Sequence, residues 1–186
     1  MNQMTKRIKP GEINLDLIPL DWPLTPVGKN KNPYIAGWQA KPFTVDQVKK
    51  ELDSGRAGGV GLISGPVYNK PYGLVWVDID GPTVYDVVRQ ESGLTVEQAL
   101  PKTLTICSGR DGRERKLYLV PQESWTQFAR NKYNWHGQGD GEKLEVLWKR
   151  HQGVLMGFHP KTDGYFTKDD EDYSFVNNLP VIPDWI

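Results

Sequence analysis

Asp78 and Asp80 are the residues in this chain best placed to do chemistry. They close the run from Gly73 to Pro82, in which Val75, Val77 and Ile79 alternate with Leu74, Trp76, Asp78 and Asp80. That period of two predicts a β-strand that buries one face and aims both carboxylates from the other, with Gly81-Pro82 ending it. The two side chains stand roughly 7 Å apart along the strand and repel each other. A hard divalent ion such as Mg²⁺ or Mn²⁺ removes the repulsion, and oxygen-only ligation is what such ions take. The same D-x-D also fits a solvated turn, because short acidic motifs match by chance.

Two further stretches share the alternation. From Arg115 to Val120, Leu117 and Leu119 face one way and Lys116 and Tyr118 the other. From Lys143 to Lys149, Leu144, Val146 and Trp148 oppose Lys143, Glu145, Leu147 and Lys149. If these strands neighbour one another in one antiparallel sheet, Asp78, Asp80 and Glu145 form a trio of carboxylates ringed by cations, among them Lys116 and Lys149. Such a trio can hold two divalent ions about 3.5–4 Å apart, the arrangement that serves phosphoryl and nucleotidyl transfer. Lysine then meets a triphosphate as a point charge and arginine as a fork. Arg110, Arg113, Arg115 and Lys116 make the most basic stretch of the protein. Nucleophile chemistry of the Ser-His-Asp or Cys-His kind has no support: Cys107 sits in a predicted strand, and His136, His151 and His159 lack metal-pair spacing.

The elements that must position these residues follow from local signals. Residues 1–12 are polar and read as a loose start. The prolines from Leu15 to Trp38 predict an extended segment and then a polar loop, where Lys29 and Lys31 face either a phosphate or solvent. Thr44 and Gln47 form a capping box for an amphipathic helix over 45–54. Residues 58–65 read as a glycine-rich strand in which a ligand or another backbone could come close, and no phosphate-loop pattern is present. Thr83 caps a short helix ending near Gly93, and Thr95 with Gln98 starts another single turn. Thr103–Cys107 and Arg115–Val120 read as strands of a hairpin with Ser108 to Glu114 between them. Residues 123–130 are helix-compatible and 135–141 a glycine-rich loop. Gln152–Phe158 reads as the hairpin partner of the 143–149 strand, His159–Tyr165 as a loop, and the acidic run 169–172 as a solvated surface.

The 186 residues predict a single domain, with 15–65 as a smaller N-terminal α/β module and 66–186 as the core. Lys+Arg and Asp+Glu number 23 each, so nucleic-acid binding needs a local basic patch rather than a basic whole. One cysteine excludes an intramolecular disulfide and a cysteine-rich zinc site. With no apolar run long enough for a membrane span, a soluble cytoplasmic monomer with no membrane partner is expected.

In order along the chain stand G-V-G-L-I-S-G-P, L-V-W-V-D-I-D-G, T-L-T-I-C-S-G-R-D-G-R-E-R-K-L-Y-L-V-P, K-L-E-V-L and G-F-H-P-K-T-D-G-Y. This series resembles the prim-pol branch of the archaeo-eukaryotic primases, found at the N-terminus of plasmid, phage and mobile-element replication proteins. The resemblance covers roughly residues 15–185. It implies an α+β fold: an RRM-like antiparallel catalytic sheet with helices on one face. It implies a primase-polymerase that transfers nucleotides from dNTPs or NTPs on a DNA template and primer, using two divalent cations, with a helicase domain in the longer protein. By that likeness Asp78, Asp80 and Glu145 hold the metals. Lys116 falls at the family's usual histidine and Glu114 at its small hydroxyl, where it would repel a triphosphate, so either the strand face is rotated or Ser108 and Arg113 do that work. Lys149 and His159 complete the expected triphosphate set. A metal-dependent nuclease, and a non-catalytic DNA-binding module stacking bases on Trp76 and Tyr118, are the competing readings.

Overall fold

A computed structural model describes residues 6–186. Ten strands form one antiparallel sheet: β1 Leu24–Val27, β2 Gly59–Ile63, β3 Gly65–Pro66, β4 Tyr72–Asp80, β5 Thr105–Cys107, β6 Arg113–Pro121, β7 Lys132–His136, β8 Lys143–Leu147, β9 Gln152–His159 and β10 Thr162–Thr167. Their order is β1-β2-β9-β10-β5-β6-β4-β8-β7, with β3 added beside β4. The helices are α1 Val45–Asp53, α2 Val84–Ser92 and α3 Val96–Ala99. The fold is therefore α+β, built on a curled antiparallel sheet.

Local signals account for most elements. Both capping boxes form, Thr44 with Gln47 and Thr95 with Gln98. Helix α2 ends at Gly93, which takes the left-handed conformation that favours glycine at a C-cap. Thr83 departs from expectation, since its hydroxyl bonds Glu142 and the Gln138 amide instead of capping α2. Glu142 also accepts from the Thr83 amide at 3.0 Å, tying the 137–142 loop to the start of α2.

The long strand β4 is buried on both faces. Val75, Val77 and Ile79 join Tyr118, Val120, Leu144, Val146 and Trp148 in a rear core covered by α2 and α3. Leu74 and Trp76 join Leu117, Leu62 and Val154 in a front core, to which Val48 of α1 also belongs. The sheet curls so that β2 and β9 lie over this front half of β4. The Trp76 indole N–H donates to the Leu62 carbonyl at 3.1 Å, and a Cβ on Gly153 would come within 2.5 Å of the indole. Beyond Trp76 the front face of β4 carries Asp78, still buried, and Asp80, half-buried.

Several expectations change. Strand β7 had no expectation over 131–134, and only Trp135 and His136 fell in the expected 135–141 loop, yet Lys132–His136 pairs with β8 along the sheet's edge. Strand β9 pairs with β2 and β10 rather than returning along β8, because both edges of β8 are taken by β4 and β7. The expected loop over 159–165 shrinks to a tight turn between β9 and β10. The first five residues lie outside the described part. Residues 6–12 are docked: Ile8 is buried and Gly11 donates to the Tyr165 carbonyl. No helix among the described residues is long and apolar enough to cross a membrane.

Candidate active site

Register brings the carboxylates together. Asp78 lies opposite Glu145 on β8 and opposite Arg115 on β6, while Asp80 lies opposite Lys143 and Arg113. Directly paired residues share a face, so one front surface carries three carboxylates flanked by guanidinium and ammonium groups. One oxygen from each of Asp78, Asp80 and Glu145 falls within 4.8 Å of the others. Asp78 and Glu145 are buried and Asp80 half-buried. An oxygen-only trio this close suits a hard divalent cation, with no thiolate or imidazole to favour a softer metal.

Cations now neutralise the trio. Arg115 pairs with Asp78 at 2.6 Å and Arg113 with Asp80 at 2.7 Å. Lys143 reaches Glu145 at 2.9 Å, and Lys132 of β7 pairs with it too. Burial and the neighbouring Asp78 raise the Asp80 carboxyl above its ordinary value, despite Arg113. Burial also works to raise Glu145, but Lys132 and Lys143 outweigh it and leave that carboxyl below the usual range.

A cleft opens over this surface, lined by Asp78, Asp80, Ser108, Arg113, Arg115 and His159 among others. His159 ends β9 buried, its ring edge-on to Tyr165 at 5.2 Å. Its Nδ1 accepts from the Lys161 amide at 3.2 Å, which leaves Nε2 to carry the proton in the neutral ring. Burial, with Lys31, Arg110 and Lys161 nearby, lowers its proton affinity, so the ring is neutral at pH 7.

The structure separates two expected members from the rest. Lys116 pairs across β4 with Val77 and therefore points to the rear. There it is buried, bound to Glu171 at 2.5 Å and to the Thr105 hydroxyl at 3.1 Å. Glu114 lies on the same rear face, paired with Lys168 at 2.7 Å. Glu171, expected on a solvated surface, is thus a buried counter-ion. The pattern of alternation was read correctly, but β6 is buried on both sides, so its leucines did not mark the side away from the carboxylates. Lys149 lines a separate cleft with Gln39, Ser64 and Arg150, its ammonium over the Trp148 ring. Trp76 and Tyr118 are wholly buried and present no face for stacking a base. Sequence reasoning passed over Arg115 as a site residue; its even spacing from Arg113 was the available signal.

Over residues 14–185 the sequence matches the family described as Prim-Pol, bifunctional DNA primase/polymerase, N-terminal. The chain belongs to this family. A search of curated proteins returns no match. Membership of the prim-pol family makes the protein one of the primase/polymerase type and implies DNA and nucleotides as substrates. The family is typically metal-dependent, and Asp78, Asp80 and Glu145 form an acidic cluster that could hold a metal.

Proposed function

We propose that the protein is a DNA primase-polymerase that transfers nucleotides from dNTPs or NTPs to a primer on a DNA template, with two divalent cations held by Asp78, Asp80 and Glu145. The convergence of those carboxylates beneath a basic cleft carries this reading. The sheet segment β5-β6-β4-β8, backed by α2 and α3, is its catalytic core and answers to the RRM-like core of the family. Divalent ions there supply activation of the primer hydroxyl and stabilisation of the departing pyrophosphate.

The chain's own residues bind and orient the substrate. Arg113 and Arg115 would meet a triphosphate as forks, being free to do so where Asp78 and Asp80 serve to hold a metal. The Ser108 hydroxyl and the Nε2–H of neutral His159 add uncharged donors on the cleft wall. Contact to template and primer is mainly to phosphates, so affinity for DNA falls steeply with rising salt.

The test is calorimetric titration of a dNTP with and without Mn²⁺, beside primer extension, for the wild-type protein and the Asp78→Ala/Asp80→Ala variant. Metal-dependent binding and extension, both lost in the variant, are expected. Extension that survives in the variant sinks the proposal, and metal-dependent DNA cleavage without dNTP binding marks a nuclease instead.

A further inference from the structure

The β1–α1 connection contributes a residue to the same cleft. Lys31 lines it together with Asp78, Asp80, Arg113, Arg115 and His159, although it lies far from them in sequence. Its backbone takes a φ of 64°, a left-handed conformation rarely adopted by a lysine, which the surrounding bonds hold in place. The Lys31 amide donates to the Gly28 carbonyl at 2.8 Å, and the Gly28 amide donates to the Asn32 carbonyl at 3.0 Å. From β9 the Gln152 side-chain amide donates to the Lys31 carbonyl at 3.2 Å. That amide fits because β2 has glycine beneath it: a Cβ on Gly61 would stand 2.7 Å from the Gln152 oxygen.

The charges in the cleft are unevenly matched. Arg113 and Arg115 have carboxylate partners, whereas among the described residues Lys31 makes no ion pair. Burial first, and then the nearby Arg115 and Arg110, lower its proton affinity, outweighing the pull of Asp80 and Asp78. A strained turn held over a cleft, presenting an unpaired ammonium, is costly to keep unless something binds it.

We propose that Lys31 is a triphosphate-binding residue, contacting the β- or γ-phosphate from the wall opposite β6, and that Gln152 positions it. The inference rests on the primase-polymerase reading and adds to it the role of the N-terminal segment in selecting triphosphate over monophosphate. Lysine suits this place because a point charge can follow phosphate oxygens without fixed fork geometry.

The experiment compares wild type, Lys31→Gly, Lys31→Asn and Lys31→Arg. Glycine and asparagine tolerate the left-handed turn, so both variants remove the ammonium while keeping the loop. In Mn²⁺, calorimetry should show dNTP affinity falling about tenfold in Lys31→Gly and Lys31→Asn, the size of one charge-assisted contact. Lys31→Arg should recover most of it, dNMP affinity should barely change, and the rise in KM should be confined to dNTP rather than primer-template. Gln152→Ala should weaken dNTP binding less than loss of the ammonium does. If wild type binds dNTP and Lys31→Gly and Lys31→Asn bind it equally well, this inference alone is overturned. If wild type binds no dNTP at all, the functional reading falls and takes this inference with it.

Discussion

Arg113 and Arg115 occupy the carboxylates that a divalent ion would need, so each side chain has two competing uses. Without nucleotide, a cation approaching Asp78 must displace a guanidinium 2.6 Å away. With a triphosphate present the guanidinium has somewhere to go. Metal and nucleotide should therefore tighten each other's binding by the same factor. Arg115→Gln separates the two uses: Mn²⁺ binding in the absence of nucleotide should tighten several-fold as a like charge leaves. The dNTP affinity in Mn²⁺ should instead fall about tenfold, as one charge-assisted contact is lost. Calorimetry of each ligand alone and together reads both, and a change of the same sign in the two would count against the arrangement. At this scale the sequence was legible for the carboxylates. Their parity on β4 and β8 follows from strand periodicity alone, and pairing then set Asp78 opposite Glu145.

Among the elements, β9 does most to shape the cleft. Gly153 lies against both Trp76 and Arg115, and a Cβ there would stand 2.5 Å from the indole and 2.8 Å from the Arg115 side chain. The guanidinium lies 5.8 Å from the Trp76 ring centroid, so the indole also forms part of its bed. Gly153→Ala should destabilise the protein by about 1–3 kcal/mol through overpacking. It should also weaken dNTP binding by displacing Arg115, as denaturant unfolding and calorimetry would show. Gly153 fell within the expected strand Gln152–Phe158, with no local signal to mark it as a point of close approach. Its need for close approach exists only once β9 crosses to β2, a pairing that no local pattern encodes. Strand β7 escaped notice for a related reason: it is an edge strand of alternating exposed and half-buried residues, with little continuous apolar signal.

Across the whole molecule, the front face gathers the cleft and the rear face a buried ionic network. Lys116, Glu114, Lys168 and Glu171 link β6 to the segment that follows β10. Burial pushes the Glu114 carboxyl up, but Lys116 and Lys168 outweigh it and hold it below the ordinary range. A carboxyl whose folded value is depressed stabilises the fold above its unfolded value, and that stability is lost as pH falls through the folded one. Glu114 and Glu145 should therefore give a loss of stability confined to the acid side of the ordinary carboxylate range. Lys116→Met leaves Glu171 and Glu114 short of a counter-charge and should cost about 3 kcal/mol at pH 7. In that variant the acid loss should shrink, since without Lys116 the folded value of Glu114 moves back up toward its unfolded one. Urea unfolding across pH checks both, and dNTP affinity should stay near wild type because Lys116 faces away from the cleft.

The sequence by itself determined the metal-binding candidates, both capping boxes, the prim-pol kinship and the alternation of β4, β6 and β8. These are properties of neighbouring residues, set by a side-chain period of two and by backbone donors that need caps. Which face of β6 meets the carboxylates was decided only by tertiary structure. Alternation sorts residues into two sets, but when both faces of a strand are buried it does not say which set belongs to which side. The curl that lays β2 and β9 over β4 resolved it. It put Arg113 and Arg115 beside Asp80 and Asp78, sent Lys116 to the rear with Glu171, and brought Lys31 into the lining of the cleft.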